Sequence, residues 1–415
     1  MRRSFTRLTA LLLALLLAAA FLPACKEETD PTSAVSPGSD SAAAGSGAVS
    51  PEEPSETSGE TLRYQDPVDI LAEYPAYNFS SSALVIATDP AASVCTYREM
   101  LSASLSDVFS AIEKKYNTFV YLQTYPKDDL FESCRSAVVN GTYFADLVAI
   151  PLSELPRYQK ANLLMPIRLL PFFRDTDPGV DAVGMEALSV NGEQYAVLGS
   201  GALSQMGITT LLVNEDLLRS LGISEDPGAL AREGNWTWEK LIGILNTVRE
   251  KSPETVLLGT TLDAARVRQA VTACCATAEG ANSLLAKLPL DGMPAGSEAS
   301  RAFNEGKLLF LFTTLDGLYE YPHSDGVWSS LPLPKENEAD EGYSCLYDPQ
   351  TTYVYVVLDR TVRSDYAGLY LHAVTAAADG SCLSSLAYEL LSGYVRTETT
   401  IKLLPTLLKS GKVGK

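Results

Sequence analysis

Ala83-Leu84-Val85-Ile86-Ala87-Thr88 is a short apolar run that ends in polar residues, and two runs of the same kind follow it, Phe119-Val-Tyr-Leu-Gln123 and Asp146-Leu-Val-Ala-Ile150. Continuous apolar strands suit a sheet covered on both faces. After the first run, Leu101, Leu105, Val108, Phe109 and Ile112 recur at helical spacing within about 95–116, and a second helix is expected near 128–140. Strand, helix, strand, helix, strand points to an open, parallel α/β sheet. In such sheets ligands gather outside the carboxyl ends of strands, so Thr88, Asp89, Pro151 and Ser153 are the first candidate binding positions. Each also reads as a plain strand-end turn or helix cap.

Downstream, strands are expected at Tyr195-Ala-Val-Leu198 and Ile208-Thr-Thr-Leu-Leu-Val213, separated by the Gly-rich Gly199-Ser-Gly201-Ala-Leu-Ser. Asn214, Asp226-Pro227 and Thr237 are placed to start helices, with Pro227 where its missing N–H costs nothing. Trp236 and Trp238 read as packing anchors. Ala302-Phe-Asn-Glu-Gly306 ends a helix that runs into the apolar Leu308-Leu-Phe-Leu-Phe-Thr313, and Tyr353-Val-Tyr-Val-Val-Leu358 is a further strand before helices from about 364 to 378 and at the C-terminus.

Outward from this body, the N-terminus carries Arg2, Arg3 and Arg7, an uncharged run from Leu8 to Leu22, and then Leu22-Pro23-Ala24-Cys25. A basic start, a short apolar stretch and a small residue before the cut read as an export signal over residues 1–24; a spanning helix needs ~20 apolar residues. Leu-Pro-Ala-Cys resembles the bacterial lipobox, which makes Cys25 the expected lipidated residue. From Lys26 to Glu60 there is no aromatic residue and no Leu, Ile or Met, and 24 of the 35 residues are Ser, Gly, Pro, Ala or Thr. Such a segment cannot bury enough surface to offset its ordering entropy, so residues 25–62 are expected to be a disordered tether.

The whole chain carries 32 Lys and Arg against 51 Asp and Glu, a formal charge of −19. Phosphate binding relies on clustered cations, so nucleic acid is excluded as a partner. Besides Cys25 there are Cys95, Cys134, Cys274, Cys275, Cys345 and Cys382, with no Cys-x-x-Cys and no Cys/His metal spacing. Six cysteines allow 15 pairings, which sequence does not rank. Cys274 and Cys275 fall in an expected helix. No cofactor and no metal site are implied.

Several of these segments, in order, resemble the family 1 extracellular solute-binding proteins of bacterial importers, the type that includes the maltose-binding proteins. The resemblance rests on Ala145-Asp146-Leu-Val followed by Leu163-Leu-Met-Pro166-Ile, on Leu212-Val-Asn214-Glu-Asp-Leu-Leu before Leu221-Gly222-Ile, on Gly234-Asn-Trp-Thr-Trp238-Glu-Lys-Leu, on Ala302-Phe-Asn-Glu-Gly306-Lys, and on Leu331-Pro-Leu-Pro334-Lys followed by Tyr343. Their collinearity over about 80–360 is the signal, and a lipobox with a tether is what Gram-positive members look like.

The resemblance implies a periplasmic-binding-protein-like fold: two α/β lobes, a hinge and an interlobe ligand cleft. Lobe one would comprise 63–200 plus 344–390 and lobe two 201–343 plus 391–415, with chain crossings near 198–207 and 335–343. It also implies a monomer, lipid-anchored on the extracellular face of the cell membrane, that delivers a small solute to an ABC permease. The resemblance makes carbohydrate the leading ligand class, with an oligosaccharide, a modified sugar or another polar solute left open; sugar sites combine aromatic faces with hydroxyl-binding polar groups. By position, Thr313, Thr314 and Asp316 would line the cleft, with Tyr319, Tyr321 and Trp328 as aromatic candidates and Tyr347 next. The chain departs from well-studied sugar binders in lacking a Trp soon after Asp146 and in having Ala-Val-Leu-Gly after Tyr195.

Two other readings stand beside this one. A secreted glycosidase could assemble a carboxylate pair from an acidic surface, but the chain has only His323 and His372 and none of the hydrolase or nucleotide motifs. A sensor or adhesin without a transporter is the other. Asp175, Asp177 and Asp181 share a Pro/Gly loop but miss the EF-hand spacing, so a solvated acidic loop is the simpler reading than calcium.

Overall fold

The computed structural model describes residues 64–92, 94, 102–320, 326–382 and 397–414. Their strands, in chain order, are β1 (Ala83–Thr88), β2 (Phe119–Thr124), β3 (Leu147–Pro151), β4 (Thr209–Asn214), β5 (Val256–Thr260), β6 (Leu308–Thr314), β7 (Trp328–Leu331), β8 (Cys345–Leu346), β9 (Tyr353–Val356) and β10 (Gly411–Lys412). One sheet has the order β2-β1-β3-β9 and a second the order β5-β6-β4-β7, while β8 and β10 form a short pair.

In the first sheet β1 is parallel to β2, Ala83 opposite Phe119, and to β3, Ile86 opposite Leu147. This is the parallel core expected from the three apolar runs. The connecting helices Ser102–Tyr116 and Lys127–Asn140 bury Val108, Ile112 and Tyr116 from one and Leu130, Phe131, Cys134 and Ala137 from the other. Gly141, at φ +62°, closes the second helix with its N–H on the last carbonyls. The fourth strand, β9, is antiparallel to β3, Pro151 opposite Tyr353.

In the second sheet β5 and β6 are parallel, while β4 runs antiparallel to both β6 and β7. Leu211, Phe310, Phe312 and Leu331 are fully buried here. Trp236, also fully buried, stacks on Phe310 at 6.3 Å and donates its Nε1–H to the Pro332 carbonyl at 3.1 Å, the anchoring role its position suggested. The helix starts are capped as read from the sequence: Asn214 accepts from Leu217 N–H, Asp226 from Ala229 N–H and Thr237 from Lys240 N–H. The helix Glu398–Lys409 returns to this sheet, where Ser330 N–H donates to Thr400 Oγ1.

Some local expectations change. Tyr195–Leu198 is not a strand; it makes the single bridge Val197 to Tyr355, because residues 199–207 leave the sheet in two tight 3₁₀ turns with Leu203 between them at φ +51°. The helix Ala264–Ala273 stops short of the cysteine pair, and Cys274 is its C-cap. Residues 335–343 stay with the second sheet, since Lys335 N–H donates to Trp236 O and the Tyr343 hydroxyl to Ala231 O. The second passage between sheets is therefore 347–352.

Candidate functional site

The carboxyl ends of β1, β3 and β6 meet the two connecting segments. Along the first segment, Gly207 O accepts from Asp348 N–H and Ile208 O accepts from Leu315 N–H, just past the end of β6. Along the second, Pro349 O accepts from Ser153 N–H and Thr352 O from Leu152 N–H, just past the end of β3. Two sheet ends and two crossings thus converge on one junction.

Thr88 and Asp89 sit there but are turned inward. The Thr88 hydroxyl donates to Ala149 O at 2.9 Å, and both Asp89 carboxylate oxygens lie 2.8 Å from the Tyr353 hydroxyl, with Ala91 N–H donating to one of them. Pro90 and Ala91 remain exposed beside them. Ser153 is half-buried, its hydroxyl 3.3 Å from the exposed Gln350 side chain. Across the junction Thr313 is buried and accepts from the Thr261 hydroxyl, while Thr314 donates to the half-buried Asp316. The structure thus brings Thr88, Asp89 and Ser153 to one side and Thr313, Thr314 and Asp316 to the other.

Trp328 is not among them. It opens β7 opposite Asn214, whereas Thr314 lies opposite Thr209 at the other end of β4, roughly 17 Å away at 3.4 Å per residue. It is buried, with its ring edge-on to Phe303, and serves packing. Tyr319 lies in the turn Asp316–Glu320 that follows β6. Tyr321, His323, Cys25 and Cys95 lie outside the described residues.

Sequence reading missed the polar run Asp348-Pro349-Gln350-Thr351-Thr352. Because β9 is antiparallel, its beginning rather than its end lies beside the carboxyl ends of β1 and β3; the readable signal was this run directly before Tyr353-Val-Tyr-Val. Gln205 was missed because it falls in the expected chain crossing near 198–207, just after the Gly-rich Gly199–Ser204 stretch. On these two segments the Gln205 Oε1 and the hydroxyls of Thr209, Thr351 and Thr352 are buried without a hydrogen-bond partner among the described residues. Buried polar atoms are nearly always paired, so such a group calls for water or a ligand. Gly207 allows the close approach: a Cβ there would stand 2.0 Å from Thr352 Oγ1.

The carboxylates around the junction are engaged by protein groups: Asp348, for example, accepts from Gln350 N–H at 2.8 Å. The Tyr347 hydroxyl donates to Asp181 at 3.1 Å, and burial first, then that carboxylate, pushes the Tyr347 phenol well above its ordinary range. Asp181 also caps the helix Ala182–Ala187 by accepting from Gly184 N–H, while Asp177 accepts from Arg174 N–H and lies 2.8 Å from His372 Nδ1. The acidic loop is therefore engaged with protein partners, and no group of His, Cys, Asp or Glu among the described residues is arranged to hold a metal. Besides the partnered carboxylates of Asp89, Asp316 and Asp348, the junction offers hydroxyls, amides and backbone groups, which suit a polar ligand. A separate cavity of about 90 Å³ lies at the other end of the first sheet, lined by Thr142, Tyr143, Phe144 and Arg360 among others.

No protein-family model and no curated protein matches the chain. Solved structures do. The apo form of RafE from Streptococcus pneumoniae is 13% identical over 81% of this chain and 88% of its own, with a TM-score of 0.55. The sugar-binding protein MalE from Xanthomonas citri is 15% identical over 80% and 86%, with a TM-score of 0.54. The galacto-N-biose-/lacto-N-biose I-binding protein of an ABC transporter from Bifidobacterium longum is 11% identical over 80% and 87%, with a TM-score of 0.52. At these identities the likeness is one of fold: the chain has the two-lobed, periplasmic-binding-protein-like α/β architecture.

Proposed function

We propose that this chain is the substrate-binding lipoprotein of an ABC importer, which captures a carbohydrate between its lobes and hands it to a membrane permease without transforming it. The observation that carries the reading is the junction itself. Hydroxyl and amide groups, four of their atoms buried and without a hydrogen-bond partner among the described residues, stand on the segments that connect the two sheets. Such groups are matched by a ligand that supplies many hydroxyls and no net charge, and an unpaired buried group makes the site reject a ligand that cannot pair it. The fold shared with sugar-binding proteins supports the same reading. Binding can favour a closed arrangement only through differential affinity for it, and segments 199–209 and 347–352 are where such a change would be absorbed. The lipobox-like Leu22-Pro23-Ala24-Cys25 and the residues after it supply the anchor in this proposal.

Titration calorimetry of the mature chain against a panel of neutral mono- and oligosaccharides tests it. The expected result is 1:1 binding of at least one of them with the sugar recovered intact. Hydrolysis of a bound glycoside, or saturable binding of only charged solutes, would overturn it. Cys25→Ser should move the protein from the membrane fraction to the medium.

A further inference from the structure

Gln205, on the first connecting segment, is 7% exposed, and its side chain ends a short run of hydrogen bonds that has one direction. The Ser200 hydroxyl donates to Asp379 Oδ1 at 2.9 Å, and Gln205 Nε2 donates to Ser200 Oγ at 3.2 Å. Gln205 Oε1 is buried and has no hydrogen-bond partner among the described residues. The two ends of a carboxamide have the same shape, so the partners decide which end is which. A carboxylate only accepts, and Asp379 therefore takes the single hydroxyl hydrogen of Ser200. With that hydrogen engaged, Ser200 Oγ accepts, and the end of Gln205 that faces it is the NH₂. The carbonyl oxygen is the end left over. A donor in place of Asp379 would reverse the order and leave the NH₂ over instead.

The turns that carry this run are held on several sides. Ser200 N–H donates to Gly179 O at 2.8 Å, while Ser204 Oγ accepts from Gly199 N–H at 3.1 Å and donates to Tyr353 O at 2.6 Å. Gly201 packs so closely on the helix Ser364–Ala377 that a Cβ there would stand 2.9 Å from Val374 Cγ1, and Asp379 lies in the turn Ala378–Cys382 that directly follows this helix. The other unpaired atoms of the junction, the hydroxyls of Thr209, Thr351 and Thr352, can each donate or accept. Of these four atoms Gln205 Oε1 is the one whose polarity is fixed.

We propose that Asp379, acting through Ser200, holds Gln205 as a hydrogen-bond acceptor in the junction, so that the site selects a solute that donates a hydroxyl or N–H at that point. The proposal rests on the junction being the solute site. Asp379 is a positioning residue, and Gln205 is the residue that meets the solute. An ether oxygen, a fluorine or a carbonyl at the same point would set two acceptors face to face and leave a buried one unpaired, which is how a site rejects an analogue of the right size.

Two measurements test this, with circular dichroism confirming that each variant is folded. The chain has seven glutamines, so nitrogen-15 labelling of glutamine side chains gives seven amide pairs, and the pair lost in Gln205→Ala belongs to Gln205. Its hydrogens should exchange with solvent about tenfold or more slowly than those of the exposed Gln350. Asp379→Asn, which donates to Ser200 and reverses the run, should remove most of that protection, as should Ser200→Ala; Asp379→Glu, which still accepts, should keep it.

The second measurement is calorimetric titration of D-glucose and D-galactose with their monodeoxy and monodeoxyfluoro analogues. At one ring position the fluoro sugar, which accepts but does not donate, should bind as weakly as the deoxy sugar, about tenfold below the parent sugar. Asp379→Asn should make the fluoro sugar the better of the two. Equal protection of Gln205 in the parent and in Asp379→Asn, or a bound sugar that tolerates fluorine at every position, would overturn the proposal. If neither sugar series binds, the carbohydrate reading loses support, and the exchange rates alone decide whether Asp379 sets the polarity of Gln205.

Discussion

Replacing Arg363 by Ala should expose how much the first sheet depends on one buried carboxylate. Asp146, just before β3, is fully buried; its Oδ2 accepts from Val85 N–H at 2.8 Å and from the Tyr143 hydroxyl at 2.9 Å, and Arg363 Nε stands 3.0 Å from Oδ1. Arg363 also donates to Ala83 O and lies over the Tyr366 ring at 4.0 Å. Even with these partners, burial outweighs them and raises the Asp146 carboxyl above its ordinary value. Removing one member of a buried pair typically costs about 3–5 kcal/mol. Here Arg363 is 23% exposed and Oδ1 receives no well-aligned hydrogen bond, so the lower end, about 3 kcal/mol at pH 7, is expected.

The pH dependence has a definite sign. A carboxyl whose folded-state value is raised contributes its full stability below the unfolded value near 3.9 and loses it as pH rises through the folded value. Without Arg363 the folded value moves further up, so the gap between parent and variant should open from pH 4 to pH 7. Guanidinium unfolding followed by far-ultraviolet circular dichroism at the two pH values measures it, and adding Asp146→Asn to the variant should recover part of the loss at pH 7. An equal gap at both pH values, or a loss under about 1 kcal/mol at pH 7, would refute the account of a desolvated charge.

Gly207→Ala should destabilise by about 1–3 kcal/mol, read as a lower melting temperature, because its Cβ would meet both Oγ1 and the backbone N of Thr352; adding Thr352→Ala should return only the side-chain share. Gly243 lies inside the helix Trp238–Lys251 with nothing within 4 Å of an added Cβ, so Gly243→Ala should raise stability by about 0.5–1 kcal/mol in the same assay. Burial pushes the Cys345 and Cys275 thiols up to about 11 and Cys134 to about 12. An aromatic disulfide reagent should therefore label them slowly in the native chain at pH 8, faster as pH rises toward 11, and at once in denaturant.

Much of the framework was legible because it is local. The apolar runs from Ala83, Phe119 and Asp146 carry their pairing partners close by in sequence, and Asn214, Asp226 and Thr237 cap helices through contacts three residues away. What sequence did not show is what depends on distant chain. Thr88 and Asp89 stand at a strand end as read, yet their side chains are spent on Ala149 and on Tyr353, which is 264 residues from Asp89. Asp146 drew notice as part of a family-like pattern, but nothing near it named Arg363. Tyr195–Leu198 has strand composition and makes one bridge, because the turns after it take the backbone away before a ladder forms. The run Asp348–Thr352 belonged to the junction only once β9 was known to be antiparallel.

That antiparallel strand also sets an order of assembly. Between Pro151 at the end of β3 and Tyr353 at the start of β9 lie residues 152–352, a stretch that includes every strand of the second sheet. As the nascent chain emerges, the second sheet has all its strands by Leu331, while the first still lacks its fourth. Closing so long a loop is slow relative to local pairing. Throughout that interval the fully buried ribbon Leu147–Pro151 has one side without its native neighbour. The lobe that begins the chain is thus the last to be completed, and its maturation depends on the other having been made.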